Sequence, residues 1–148
     1  MRIFNKQAPV QFSIEEKYEA GIVLQGQEVK AIKLGHADLT GSYVKLLGSE
    51  AYLINSRIFP YEYARAQNYQ ETRTRKLLLH RKELLKLKSK LAEGKYTLIG
   101  ISLYDTKTGL IKIEIGLARG KKKYGREKEV RRRELDLQSE REFKEQNY

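Results

Sequence analysis

The sequence predicts a mainly β fold: a small closed antiparallel barrel with about three helices, followed by a basic C-terminal tail that is disordered alone. Three observations carry this reading. Short runs alternate apolar and polar residues between turn-forming glycines, the period of half-buried strands. Two segments show helical spacing and end at a glycine. Beyond Arg119 core residues nearly stop, while residues 121–133 hold eight Lys or Arg against two Glu. No strand-helix-strand repeat with a phosphate-binding glycine loop occurs, which argues against an α/β sheet. The predicted division is a folded body, 1–120, and a tail, 121–148.

Residues 1–8 read as a flexible arm. Val10, Phe12 and Ile14 alternate with polar neighbours and predict a first strand; Ile22, Val23 and Leu24 predict a second, more buried one. Gly26 opens a two-turn helix in which Val29 and Ile32 share a face, and Gly35 ends it. Residues 39–47 and 51–54 form a hairpin across Gly48-Ser49-Glu50. Residues 56–74 are polar, aromatic-rich and aperiodic, a long loop of the kind that carries function. Leu84, Leu87 and Leu91 mark a helix over 80–93, stopped at Gly94. Ile99, Ile101 and Leu103 are assigned to one face of a final hairpin, opposite Ile111, Ile113, Ile115 and Leu117, with the turn at 105–109.

In the tail, Val130, Leu135, Leu137 and Phe143 cannot offset the ordering entropy of a separate domain. Residues 127–145 nevertheless lack Gly and Pro, so a helix can form on a partner.

Composition narrows the function. The 148 residues contain 30 Lys and Arg against 19 Asp and Glu, a net charge of +11. Such an excess draws phosphate backbones and releases their counterions. No apolar run approaches a bilayer span, so no membrane partner is expected. The absence of cysteine excludes disulfides, thiolate metal sites and cysteine nucleophiles, and fits a reducing cytoplasm. The N-terminal residues have no signal-peptide core, so export is not expected.

Four features are candidates for chemistry. The basic tail, with Tyr124 inside it, fits RNA. Arg73, Arg75 and Lys76 end a loop containing Tyr61, Tyr63 and Tyr69, so cations can meet phosphates while tyrosines stack on bases. Glu28, in the first turn of a helix, compensates the helix dipole on pattern alone. His36 and His80 could in principle serve as the acid and base of a ribonuclease. However, His36 follows a helix-ending glycine and His80 stands at a helix cap, so both read as structural or RNA-contacting. No catalytic residue, metal site or cofactor is expected.

Several blocks together resemble the SsrA-binding (small protein B) family of bacterial trans-translation. They are the run from Tyr18 to Lys30, Tyr52-Leu53-Ile54-Asn55 followed by Pro60-Tyr61-Glu62, Arg73 to Glu83, Gly94 to Leu98, and Leu117 to Lys122. The resemblance runs nearly end to end. It implies an oligonucleotide-binding (OB) type barrel and a non-enzymatic, monomeric, cytoplasmic factor. Such a factor binds the tRNA-like domain of transfer-messenger RNA and delivers it to stalled ribosomes. It also implies RNA contacts for Glu28, Lys30, Arg73, Arg75, Lys76, Lys121 and Lys122, with His80 added from its place beside that block.

By the same resemblance the tail becomes helical in the empty mRNA channel, near the decoding centre of small-subunit rRNA. Lys123, Tyr124, Arg126, Lys128, Arg131, Arg132 and Arg133 are its expected contacts. Gly125-Arg126-Glu127 stands where the family commonly has Asp-Lys-Arg, and Gln27 where it has Thr. A common proline is missing at Ile99-Gly100. The alternatives are a generic barrel-type RNA-binding translation factor and, third, a nuclease using the two histidines.

Overall fold

The computed structural model describes residues 1–64, 68–121, 137–139 and 141. Its elements in chain order are β1 (Arg2–Phe4), α1 (Ala8–Gln11), β2 (Phe12–Ile22), α2 (Gly26–Lys33), β3 (Ala37–Asp38), β4 (Tyr43–Leu47), β5 (Glu50–Ile54), β6 (Arg57–Ile58), β7 (Arg75–Leu78), α3 (Arg81–Ala92), β8 (Thr97–Asp105) and β9 (Ile111–Gly120). The fold is mainly β with few helices, as expected. Residues 137–139 are helical. The remaining tail expectations, for Lys122, Lys123, Tyr124, Arg126, Lys128 and Arg131 to Arg133, lie outside the described residues.

All pairings are antiparallel. In the main sheet the order is β1-β8-β4-β5-β7-β2-β9, and β9 also pairs with β8. Hydrogen-bonded neighbours therefore run from β8 through β4, β5, β7, β2 and β9 back to β8. The β4–β5 hairpin pairs Leu47 with Glu50, leaving a two-residue turn with Gly48 at φ +62°. That left-handed backbone is what a tight hairpin requires and what glycine adopts without strain. Inside the sheet, Leu39, Leu53, Leu98, Leu103, Ile113, Ile115 and Leu117 pack with Ile32 of α2 and Leu87 of α3.

Five expectations change. The arm 1–8 contains β1, which pairs with β8, and the start of α1. Pro9 lies within the first turn of α1, where a missing N–H costs nothing, and Val10 is in this helix rather than in a strand. The two strands expected around 10–14 and 22–24 are largely one eleven-residue strand, β2; Val23 and Leu24 fall beyond its end. The stretch 56–74 contains the short strand β6, paired with β3. Finally, Ile99 and Ile101 do not share a face with Leu103.

The last correction has a mechanical cause. Register shifts between Gly100 and Ser102 in β8, and again between Ile14 and Glu16 in β2. An extra residue reverses which side chains face inward. Leu98 and Leu103 consequently both lie in the main core, five positions apart. Ile99 and Ile101 join Ala8 and Ala118 in a second, smaller cluster covered by Phe12 and Ile14. The buried Asn5 side chain reinforces this face, donating to the carbonyls of Leu39 (3.1 Å) and Gly100 (2.9 Å).

Candidate nucleic-acid interface

The site is built from the first turn of α2 and the two ends of the 56–74 stretch. Gln25 is extended and caps α2, and its N–H donates to Glu28 Oε1 at 2.8 Å. An acid three residues after the cap satisfies a helix-end donor and complements the dipole. Glu28 does this and more. Its Oε1 also accepts from Arg73 Nη2 at 2.5 Å, and its Oε2 from Arg75 Nε and Nη2 at 2.9 and 2.6 Å. The side chains of Glu28 and Arg75 are both 0 % exposed; that of Arg73 is 26 % exposed.

A buried ion pair is tolerable only when its remaining hydrogen bonds are also made. Arg75 makes them. Nη1 donates to Ser56 Oγ (3.1 Å) and the Arg73 carbonyl (2.9 Å), and Nη2 to the Glu71 carbonyl (3.0 Å). The Tyr69 hydroxyl donates to the Ile58 carbonyl at 2.9 Å and lies 3.3 Å from Glu28 Oε2. One guanidinium thus binds both ends of the loop to α2. Burial by itself would raise the Glu28 pKa; the Gln25 N–H and the two guanidinia outweigh it and hold it below the usual carboxylate range. Burial, then the Glu28 charge, pushes Tyr69 up.

Outside this buried anchor the surface is aromatic and basic. The exposed Lys30 ammonium sits 5.5 Å from the Tyr61 ring centre. Tyr61 meets Tyr63 edge-on at 5.5 Å, and Tyr63 is 75 % exposed. Exposed rings beside cations can take unstacked bases and their phosphates.

The structure therefore joins Glu28, Lys30, Arg73 and Arg75, but not all at the surface: Glu28 and Arg75 are sealed inside. Lys76 points to the opposite side of β7 and pairs with Glu50 at 2.8 Å. His80 caps α3, its N–H donating to Glu83 Oε1 at 3.2 Å. Lys121 donates from its ammonium to the Pro9 carbonyl at 2.9 Å and from its N–H to the Gln11 carbonyl at 3.1 Å. Sequence reasoning missed Ser56 and the anchoring role of Tyr69. A serine at a loop entrance carries no signal until the arginine that needs it is placed.

His36 follows α2, where its carbonyl accepts from the Phe59 N–H; among the described residues no hydrogen bond joins it to His80. Nor does any group of three or more His, Asp or Glu residues among them suit a metal ion. No helix among them is long and apolar enough to cross a membrane.

The model of the SmpB protein family matches residues 2–145. The chain belongs to that family. It is 46 % identical over 141 residues to the SsrA-binding protein of Geobacillus kaustophilus (strain HTA426), covering 95 % of this chain and 90 % of the relative. Its identity to the SsrA-binding protein of Geotalea uraniireducens (strain Rf4) is 44 % over 131 residues, covering 88 % and 86 % of the two chains. Among solved structures it is similar to one described as "tmRNA-SmpB: a journey to the center of the bacterial ribosome". That likeness has a TM-score of 0.70 and 42 % identity, over 82 % of this chain and 85 % of the other.

Proposed function

We propose that this SmpB-family chain binds the tRNA-like domain of transfer-messenger RNA and delivers it to stalled ribosomes for trans-translation, so that incomplete chains are tagged. The observation that carries this reading is the family match over residues 2–145, with relatives named for SsrA binding. The circuit of pairings from β8 back to β8 supports a closed barrel of OB type. Barrel residues 1–120 hold the tRNA-like RNA, and the tail, 121–148, engages small-subunit rRNA in the mRNA channel by the decoding centre.

Within this reading the residues divide by exposure. Lys30 and Arg73, with Tyr61 and Tyr63, touch RNA. Glu28 and Arg75 are positioning residues: they fix the loop that presents those groups and are too buried to reach a ligand themselves. Lys76, His80, Lys121 and Lys122 extend the contact along the body. Lys123, Tyr124, Arg126, Lys128, Arg131, Arg132 and Arg133 supply the tail's ribosomal contacts. The factor acts in the cytoplasm as a monomer, without catalysis, metal or cofactor.

Competition binding at physiological salt tests the assignment. Transfer-messenger RNA should displace bulk tRNA by a wide margin. Equal affinities would instead favour a generic RNA-binding translation factor. Cleavage of RNA by the intact protein, lost on His80→Ala, would revive the nuclease reading.

A further inference from the structure

Between the last turn of α3 and the strands β4 and β8 lies an open cavity of about 330 Å³. Val44, Leu46, Leu91 and Leu98 line it with apolar surface, and Lys88 and Tyr96 stand at it too. The half-buried Tyr96 ring is surrounded by cations. The Arg119 guanidinium lies 5.2 Å from its centre, and the ammonium groups of Lys95 and Lys90 lie 5.4 and 5.9 Å away. Arg119 is held in place, donating to the Tyr96 hydroxyl at 3.5 Å and pairing with Glu15 at 2.8 Å. Lys88 and Lys95 are exposed, and among the described residues neither makes an ion pair.

Glu15 offsets Arg119. That leaves the ammonium groups of Lys88, Lys90 and Lys95 about one apolar slot without an ion-pair partner among the described residues, so the slot favours an anion that also carries a flat apolar group. Its volume lies at the lower end for small-ligand sites, enough for one nucleotide and far too small for a duplex. The slot is also separate from the Glu28 anchor. None of Glu28, Ser56, Tyr69, Arg73 and Arg75 lines it. We propose that this groove is a second RNA subsite, taking one unstacked nucleotide with its base against Tyr96 and its phosphate on Lys88 and Lys95. The inference rests on the RNA-binding reading above and adds to it: the body grips RNA at two places.

The test uses the full chain, first saturated with the tRNA-like domain of transfer-messenger RNA. A tetranucleotide carrying 4-thiouridine is then titrated in, crosslinked with light, and the modified peptides are mapped. Crosslinks should fall beside Tyr96 or Lys88. Tyr96→Leu, and separately the exposed changes Lys88→Glu and Lys95→Glu, should each weaken the tetranucleotide roughly tenfold. None should shift affinity for the tRNA-like domain by more than about twofold. The two exposed variants keep the test valid if Tyr96→Leu misfolds.

Normal binding of the tRNA-like domain with no crosslink in the groove overturns this inference and leaves the proposed function standing. Competition between the two RNAs overturns the claim that the subsite is separate. Displacement of the tetranucleotide by a tetraglutamate peptide of higher affinity shows a groove for acidic protein instead, and also overturns it. If the tRNA-like domain does not bind at all, the proposed function falls, and the crosslink position alone decides the groove.

Discussion

A carboxylate without exposed surface, in a chain of net charge +11, is held by a count of donors. Glu28 receives one backbone N–H and two guanidinia, and the more buried guanidinium has its other donors occupied by Ser56, Glu71 and Arg73. Removing one partner strands the other. Arg75→Met should destabilise the body by about 3–5 kcal/mol, read from urea unfolding, whereas Lys30→Met should leave stability almost unchanged.

The depressed Glu28 pKa also sets a pH window. Its stabilisation is complete above the ordinary glutamate value of 4.5 and is lost as pH falls through the lower folded value. Glu28→Gln should therefore lower the melting temperature at pH 7 yet flatten the acid limb below about pH 4.5; an unchanged limb would place the titration elsewhere. Glu28→Ala should weaken transfer-messenger RNA binding even though it makes the protein more basic, because the loop loses its anchor. A purely electrostatic binder would bind more tightly. From sequence alone Glu28 looked like a dipole-compensating acid, which it is. That it also holds two arginines 45 and 47 residues away depends on tertiary placement, which no local pattern carries.

Among the elements, α2 and α3 were the most legible. Gly35 and Gly94 have φ near +80°, the left-handed cap that stops α2 and α3 where the glycines suggested. The strands were legible in period but not in parity, since a bulge leaves no mark in composition. Gly116 shows how tightly the outer face was built on that parity. A Cβ there would come within 2.6 Å of Ile101 Cδ1 and 3.1 Å of Ile14 Cγ2. Gly116→Ala should cost about 1–3 kcal/mol. Adding Ile101→Val removes the offending methyl, so the double variant should regain much of that loss. A double-mutant cycle measures the coupling, and strict additivity would contradict the contact.

For the whole molecule, the proposed division into body and tail predicts a clean separation of activities. A chain ending at residue 120 should keep most of its affinity for transfer-messenger RNA and lose tagging of stalled products. Loss of RNA affinity instead would mean that the tail carries recognition. The mainly β character of the fold was readable because hydrophobic period is a global property of a sequence. The N-terminal segment was not, since Arg2–Phe4 is only three residues long and becomes a strand by the presence of β8.

The small outer cluster reaches beyond packing. Residues 1–11 rest on the body through β1, the Met1–Asp105 ion pair, the Asn5 side chain and a few apolar contacts, with Ile3 alone of the segment packed against the main core. Such a segment can detach while the rest stays folded. Native-state hydrogen exchange should show the Asn5 amide, bonded to the Ile101 carbonyl at 2.7 Å, exchanging ahead of the Ile113 and Ile115 amides. Lys121 is moored to Pro9 and Gln11 of that same segment. Unlatching the amino end would therefore also release Lys121, so the point at which the chain leaves β9 is tied down by residues from the opposite terminus.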